Sequence, residues 1–178
     1  MRAFWVNRVI RVLCLVVFAV ACGLALHRFR RTPEQQELTH YVTVELPSLF
    51  AAEAPIDERI ARLGAVPGLT PEQARQLLVD DVVPRLVKLR RQAEGLPLRT
   101  DEARQLNQEY LAVTDQLIDA CRACVRVIDD PAIPSAAGLV LVRERFVDVQ
   151  RAYRGWDEHV RLACVRHRLA KPAAPPHP

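Results

Sequence analysis

Residues 100–127, TDEARQLNQEYLAVTDQLIDACRACVRV, decide the fold, because their apolar residues recur at alternating intervals of three and four. This spacing puts them on one face of an α-helix. Residues 139–167, LVLVRERFVDVQRAYRGWDEHVRLACVRH, have the same pattern, and a short turn at residues 130–135 joins the two segments. Two heptad seams of about 30 residues each predict an antiparallel helical hairpin about 45 Å long. The predicted seam residues are Ala103, Leu106, Tyr110, Val113, Leu117, Ala120, Cys124 and Val127, then Leu139, Val142, Phe146, Val149, Tyr153, Trp156, Val160, Ala163 and His167.

Two further helices are predicted before the hairpin. Thr32-Pro33-Glu34-Gln35 and Thr70-Pro71-Glu72-Gln73 have the same pattern of helix start, in which threonine caps and glutamine completes a capping box. Because the residues beyond these caps do not align, we interpret the two segments as the same capping pattern used twice and not as an internal repeat. Prolines at positions 47 and 84 are expected to kink or divide these helices, and Pro55 is expected to interrupt the first.

No stretch alternates with the period of a β-strand, so the sequence predicts an all-α fold. The apolar faces of the first two helices need a partner, and the hairpin is available. We therefore expect an antiparallel four-helix bundle over residues 32–170. The proline-rich end, residues 171–178, is predicted to be a disordered tail.

The segment Val12–Leu26, VLCLVVFAVACGLAL, is an unbroken apolar run with three arginines before it and three after it. We interpret residues 1–31 as an N-terminal membrane anchor, with residues 9–11 extending the helix to about 27 Å. Because three arginines lie on each side of the apolar run, the positive-inside rule favours neither orientation in the membrane. Since a short N-terminal tail usually stays cytoplasmic, we expect a single pass through the inner membrane with residues 32–178 in the periplasm.

Two alternatives for residues 1–31 stay open. Ala19-Val20-Ala21 fits the cleavage site of a secretory signal peptide. The five residues from Phe18 to Cys22 resemble a bacterial lipobox, although leucine is more usual three residues before the cysteine. That resemblance implies lipidation at Cys22 and a lipoprotein anchored through it. The apolar residues that continue after Ala21 favour the uncleaved anchor.

The charge distribution argues against binding of nucleic acid. The first 31 residues hold six arginines and no acid, whereas the remainder holds 19 basic and 21 acidic residues, for a net charge of −2. The basic surplus therefore flanks the apolar run, where it favours anionic lipid headgroups. The rest of the chain has neither a basic surplus nor many aromatic residues on which bases could stack.

Several cofactor sites are suggested by residue type but disfavoured by spacing. Cys121-x-x-Cys124 and Cys164-x-x-His167 would make a zinc ligand set, but the hairpin separates the two pairs by about 28 Å. Covalent haem needs a histidine directly after Cys124, and valine stands there. A di-iron site needs two Glu-x-x-His motifs, and Glu37–His40 is the only one. We predict no cofactor and no metal.

The sequence contains no convincing set of nucleophile, base and orienting residue, and no glycine-rich phosphate loop. We therefore expect a protein that is not an enzyme. The leading hypothesis is a membrane-tethered helical bundle with a non-catalytic interaction or structural role at the bacterial cell envelope, acting on a protein partner or as a homo-oligomer. The alternative is a periplasmic cofactor- or ligand-binding four-helix bundle that uses His40 or the histidines of the last helix, His159 and His167.

Overall fold

The computed structural model describes residues 32–65, 70–130, 132 and 135–170. The apolar run, Cys22 and the proline-rich tail lie outside the described residues, so the predictions about them remain predictions. Contacts divide the chain between Gln36 and Glu37. All tertiary contacts given below lie within the second unit, Glu37–Pro178.

The helical elements follow one another with short connections. They are α1 (Pro33–His40), the π-helical segment π1 (Tyr41–Glu45), α2 (Leu46–Ala65), α3 (Pro71–Gln76), the π-helical segment π2 (Leu77–Val82), α4 (Val83–Glu94), α5 (Asp101–Asp129) and α6 (Ser135–His167). Since α1–π1–α2 and α3–π2–α4 are each continuous, the described residues form four helices and contain no β-strand. The prediction of an all-α helical bundle is confirmed.

Both predicted capping boxes are present. Thr32 Oγ1 accepts from the Gln35 backbone N–H at 3.2 Å, and Gln35 Oε1 accepts from the Thr32 N–H at 3.2 Å. Thr70 and Gln73 make the same two hydrogen bonds, at 3.2 and 3.0 Å. These bonds satisfy backbone donors that the first helical turn would otherwise leave without a partner.

Of the two outcomes expected at Pro47 and Pro84, a kink or a division, the structure shows no division of the helix at either proline. Each π-helical segment ends two residues before a proline: π1 ends at Glu45 and Pro47 follows, and π2 ends at Val82 and Pro84 follows. Proline lacks the N–H of the α-helical bond, and the wider π turn accommodates that gap without ending the helix. The Leu46 N–H, for example, bonds to the Tyr41 carbonyl five residues earlier.

The expectation that Pro55 interrupts the first helix is wrong, because α2 continues through it to Ala65. The carbonyl that loses its donor is that of Ala51, an exposed residue, so water can replace the missing bond. In addition, Arg59 Nη1 donates to the Pro55 carbonyl at 2.8 Å. A proline on the solvent side of a helix therefore costs less than the sequence rule assumes.

Helices α5 and α6 pack with opposite directions. Glu102, at the start of α5, contacts the end of α6: its carboxylate lies 2.7 Å from Arg166 Nη1 and 2.7 Å from His167 Nε2. Further along the same interface, Glu109 of α5 lies 2.8 Å from His159 Nδ1 of α6. Among the described helices, none has the length and apolar content needed to cross a membrane.

The core contains side chains from all four helices. The predicted seam residues of α5 from Ala103 to Cys124 are buried, as are Val149, Trp156, Val160 and Ala163 of α6. Those burial predictions are confirmed. The opposing surface is contributed by Leu38, Tyr41, Val42, Leu46, Leu49, Phe50, Ile56, Leu78, Val82, Leu86, Leu89 and Ala93.

Candidate functional site

A carboxyl group is buried in the middle of this core. Glu53 of α2 is only 5% exposed, and its Oε2 accepts a hydrogen bond from the Tyr110 hydroxyl at 3.2 Å. Burial, and secondarily the charge of Asp57, raises the pKa of Glu53 to about 8. The group is therefore mainly protonated at neutral pH, which avoids the cost of an unpaired buried charge.

Asp57 lies one helical turn after Glu53, and burial raises its pKa to about 6. The two side chains border a half-open cavity of about 220 Å³ between α2, α5 and α6, and Arg154 borders it from α6. The walls are mostly apolar, formed by Ile60, Val113, Leu117, Phe146 and Val149. An apolar cavity with acidic groups on one side can accommodate a small molecule that carries both an apolar body and a positive charge.

An aromatic cluster holds the neighbouring part of the core. The Trp156 ring centroid lies 5.2 Å from Tyr110, 5.2 Å from Tyr153 and 5.9 Å from Phe50. The Trp156 indole N–H donates to the Leu106 carbonyl at 2.9 Å. Trp156 and Tyr110 are buried and Tyr153 is half-buried, so the interpretation of these residues as core is confirmed.

The three histidines that the structure describes are engaged by carboxylates. His40 Nε2 lies 3.1 Å from Glu45, while His159 and His167 contact Glu109 and Glu102 across the α5–α6 interface. Within the described residues, no group of three or more histidine, cysteine or acidic side chains is arranged to hold a metal ion.

Glu37, the other member of the single Glu-x-x-His motif, has a structural contact. Its carboxylate accepts the backbone N–H groups of Arg99 and Thr100, the latter at 2.8 Å. The bond from Arg99 is the main reason why the pKa of Glu37 is lowered. Glu37 thus binds the loop before α5, while His40 contacts Glu45, so the two side chains of the motif do not share a metal ion.

The three cysteines of the bundle are buried, and Cys121 and Cys124 are free thiols. Burial raises the pKa of Cys121 to about 12 and that of Cys124 to about 11. Because the thiolate is the reactive form, these two residues should behave as small core side chains.

We expect Cys121 and Cys124 to react with iodoacetamide at pH 8 more than about 100-fold more slowly in the folded protein than in urea. Mass spectrometry of the alkylated peptides measures each cysteine separately. Similar rates in both conditions would contradict the buried positions of these thiols.

The outer surface of α6 is a second candidate site. The large apolar side chains that the described part of the chain exposes are concentrated there: five of seven, namely Val140, Leu141, Val147, Leu162 and Val165. Scattered exposed apolar residues are ordinary, but a concentration on one helix is typical of a contact surface.

Sequence reasoning did not find the Glu53 cluster, although the sequence contains a signal for it. Residues 42, 46, 49, 53, 56 and 60 are spaced 4-3-4-3-4, so Glu53 occupies a seam position among Val42, Leu46, Leu49, Ile56 and Ile60. A carboxylate at such a position indicates a buried acid.

Comparisons with protein-family models, curated proteins and solved structures found no match for the chain.

Proposed function

We propose that the protein is a membrane-tethered helical bundle with a non-catalytic interaction or structural role at the bacterial cell envelope. Val12–Leu26 would cross the inner membrane once, with residues 32–178 in the periplasm. The apolar run and its six flanking arginines support a membrane span, and the short N-terminal tail supports the periplasmic side for the rest of the chain. A lipid on Cys22 is the alternative tether. In this proposal α5 and α6 are the long hairpin of an antiparallel four-helix bundle.

The outer surface of α6 is the observation that carries the interaction role. Val140, Val147, Leu162 and Val165, which we call the outer stripe, are between 43% and 64% exposed. The core-facing residues of the same helix, Val149, Trp156 and Val160, lie about 180° away around its axis. Exposed apolar residues on the face opposite the core are typical of a helix with a second contact surface, and here the exposed charged residues Arg151 and Glu158 lie on the same face between Val147 and Leu162.

Photo-crosslinking in cells tests this role. A benzophenone amino acid at position 162 should form a covalent protein adduct. The same amino acid at Lys88, an exposed residue of α4, serves as the control and should form none. If position 162 gives no adduct, or if both positions give the same adducts, the outer stripe is not a specific contact surface.

The cavity beside Glu53 supports a second candidate function, the binding of a small ligand. Its apolar walls fit an apolar body, and its two acidic groups fit one amine, although Arg154 at the border offsets part of their negative charge. Hexylamine should then raise the melting temperature at pH 8, whereas hexanoate should not, and Glu53→Gln should reduce the shift. Equal shifts from both compounds would indicate non-specific apolar binding.

A further inference from the structure

We propose that the cavity between α2, α5 and α6 binds the zwitterion of a small apolar amino acid, such as leucine. This inference rests on the ligand-binding function given above as the second candidate, and it names the class of ligand. The cavity has a volume of about 220 Å³, whereas sites for drug-sized ligands have volumes of about 300–1,000 Å³. The cavity therefore fits a molecule of the size of one amino acid.

The lining side chains form a polar end and an apolar end of the cavity. Tyr110 contacts both Glu53 of α2 and Trp156 of α6, so these three residues share one level of the bundle. From that level the cavity extends toward higher residue numbers in α2 and α5 and toward lower ones in α6. Near that level lie Glu53, Asp57, Tyr153 and Arg154, and further from it lie Ile60, Leu117, Phe146 and Val149. A ligand that is polar at one end and apolar at the other matches this arrangement.

The polar end of the cavity carries charges of both signs. At pH 7 Glu53 is mainly protonated, because burial raises its pKa to about 8, whereas Asp57, with a pKa raised to about 6, is mainly ionised. Arg154 brings a positive charge to the same end. A lone amine is attracted by Asp57 but repelled by Arg154, and a lone carboxylate meets the reverse. A molecule with an ammonium and a carboxylate group on one carbon atom matches both charges.

Arg154 is placed to bind the carboxylate of such a ligand. It is an exposed residue at the border of the cavity, and among the described residues no carboxylate lies within ion-pair distance of it. Glu158, the acid one helical turn later, is paired with Arg161 at 2.6 Å. A guanidinium group can donate two parallel N–H bonds to one carboxylate, which gives Arg154 a specific way to recognise the amino acid.

Isothermal titration calorimetry of the full chain in detergent at pH 7 tests the proposal. We expect L-leucine to bind at least about tenfold more tightly than 3-methylbutylamine, which lacks the carboxylate, and than 4-methylpentanoate, which lacks the amine. Glycine, which has both charges but no apolar body, should also bind at least about tenfold more weakly than leucine.

Three variants assign the charges of the ligand to residues. Arg154→Gln should reduce the affinity for leucine to about that for 3-methylbutylamine, because it removes the partner of the carboxylate. Asp57→Asn should weaken the binding of both compounds at least about tenfold, because it removes the partner of the ammonium group. Arg151→Gln is the matched control and should change neither affinity, since Arg151 is an exposed arginine of the same helix that contacts Asp148 and does not line the cavity.

Two results would overturn this inference but keep the cavity as a ligand site. One is equal affinity of the wild type for leucine and for either compound with a single charge. The other is an advantage of leucine that Arg154→Gln does not reduce. If neither leucine nor 3-methylbutylamine binds, both this inference and the ligand-binding candidate fail.

Discussion

Replacing Glu53 with glutamine is expected to stabilise the protein by about 4 kcal/mol at pH 8, with little effect at pH 4.5. The pKa of Glu53 is raised by burial from 4.5 to about 8. Between these values the folded protein binds more protons than the unfolded chain, so the free energy of unfolding falls as the pH rises. Glutamine has no proton to lose, and its amide oxygen can still accept the hydrogen bond from the Tyr110 hydroxyl.

Urea unfolding followed by circular dichroism between pH 4.5 and 8.5 measures this effect. The wild type should lose stability across the range, and Glu53→Gln should lose less. A smaller slope should remain from Asp57, whose pKa is also raised by burial, to about 6. Glu58→Gln is the matched control, because Glu58 is an exposed residue of the same helix paired with Arg62. Parallel pH profiles for the wild type and Glu53→Gln would show that Glu53 is not buried.

Trp156→Ala is expected to cost about 4 kcal/mol of unfolding free energy. The indole is 3% exposed, contacts three aromatic rings and donates a hydrogen bond to the Leu106 carbonyl. Alanine removes these contacts and leaves a cavity at the centre of the core. Trp156→Phe should cost about half as much, because it keeps an aromatic ring but loses the hydrogen bond.

Phe146→Ala, on the same helix, provides the comparison for Trp156. Phe146 is half-buried at the edge of the cavity beside Glu53, so its truncation should cost about 2 kcal/mol. Urea unfolding of the three variants at pH 6 gives the values. If Phe146→Ala were as destabilising as Trp156→Ala, the aromatic cluster would not be the centre of the core.

The heptad seams of α5 and α6 could be predicted because burial follows directly from helical periodicity. The two capping boxes could also be predicted, since four consecutive residues determine each of them. The effect of the prolines on the helices could not be predicted in this way. Whether Pro47 and Pro84 break a helix depends on whether a π turn can form before them, and the effect of Pro55 depends on which side of α2 faces water. Neither property can be read from the proline alone.

Thr100, directly before Asp101 and Glu102, is a third helix start that the sequence predicts, with the threonine as its cap. It occupies the N-cap position of α5, yet its side chain makes no capping hydrogen bond. Glu37, 63 residues earlier, accepts the backbone N–H of Thr100 itself, a contact that no local pattern predicts. The Glu53 cavity likewise depends on how α2, α5 and α6 meet. Local patterns therefore predict elements well, whereas a site formed between elements depends on their packing.

The membrane tether is the central claim, and alkaline carbonate extraction of cell membranes tests it most directly. We predict that the full chain remains with the membranes at its full length, that a chain beginning at Thr32 is released, and that Cys22→Ala changes neither result. A radioactive fatty acid supplied to the cells should not label the protein. A shortened, labelled protein that depends on Cys22 would move the tether to a lipid. Recovery of the full chain in the soluble fraction would contradict the account.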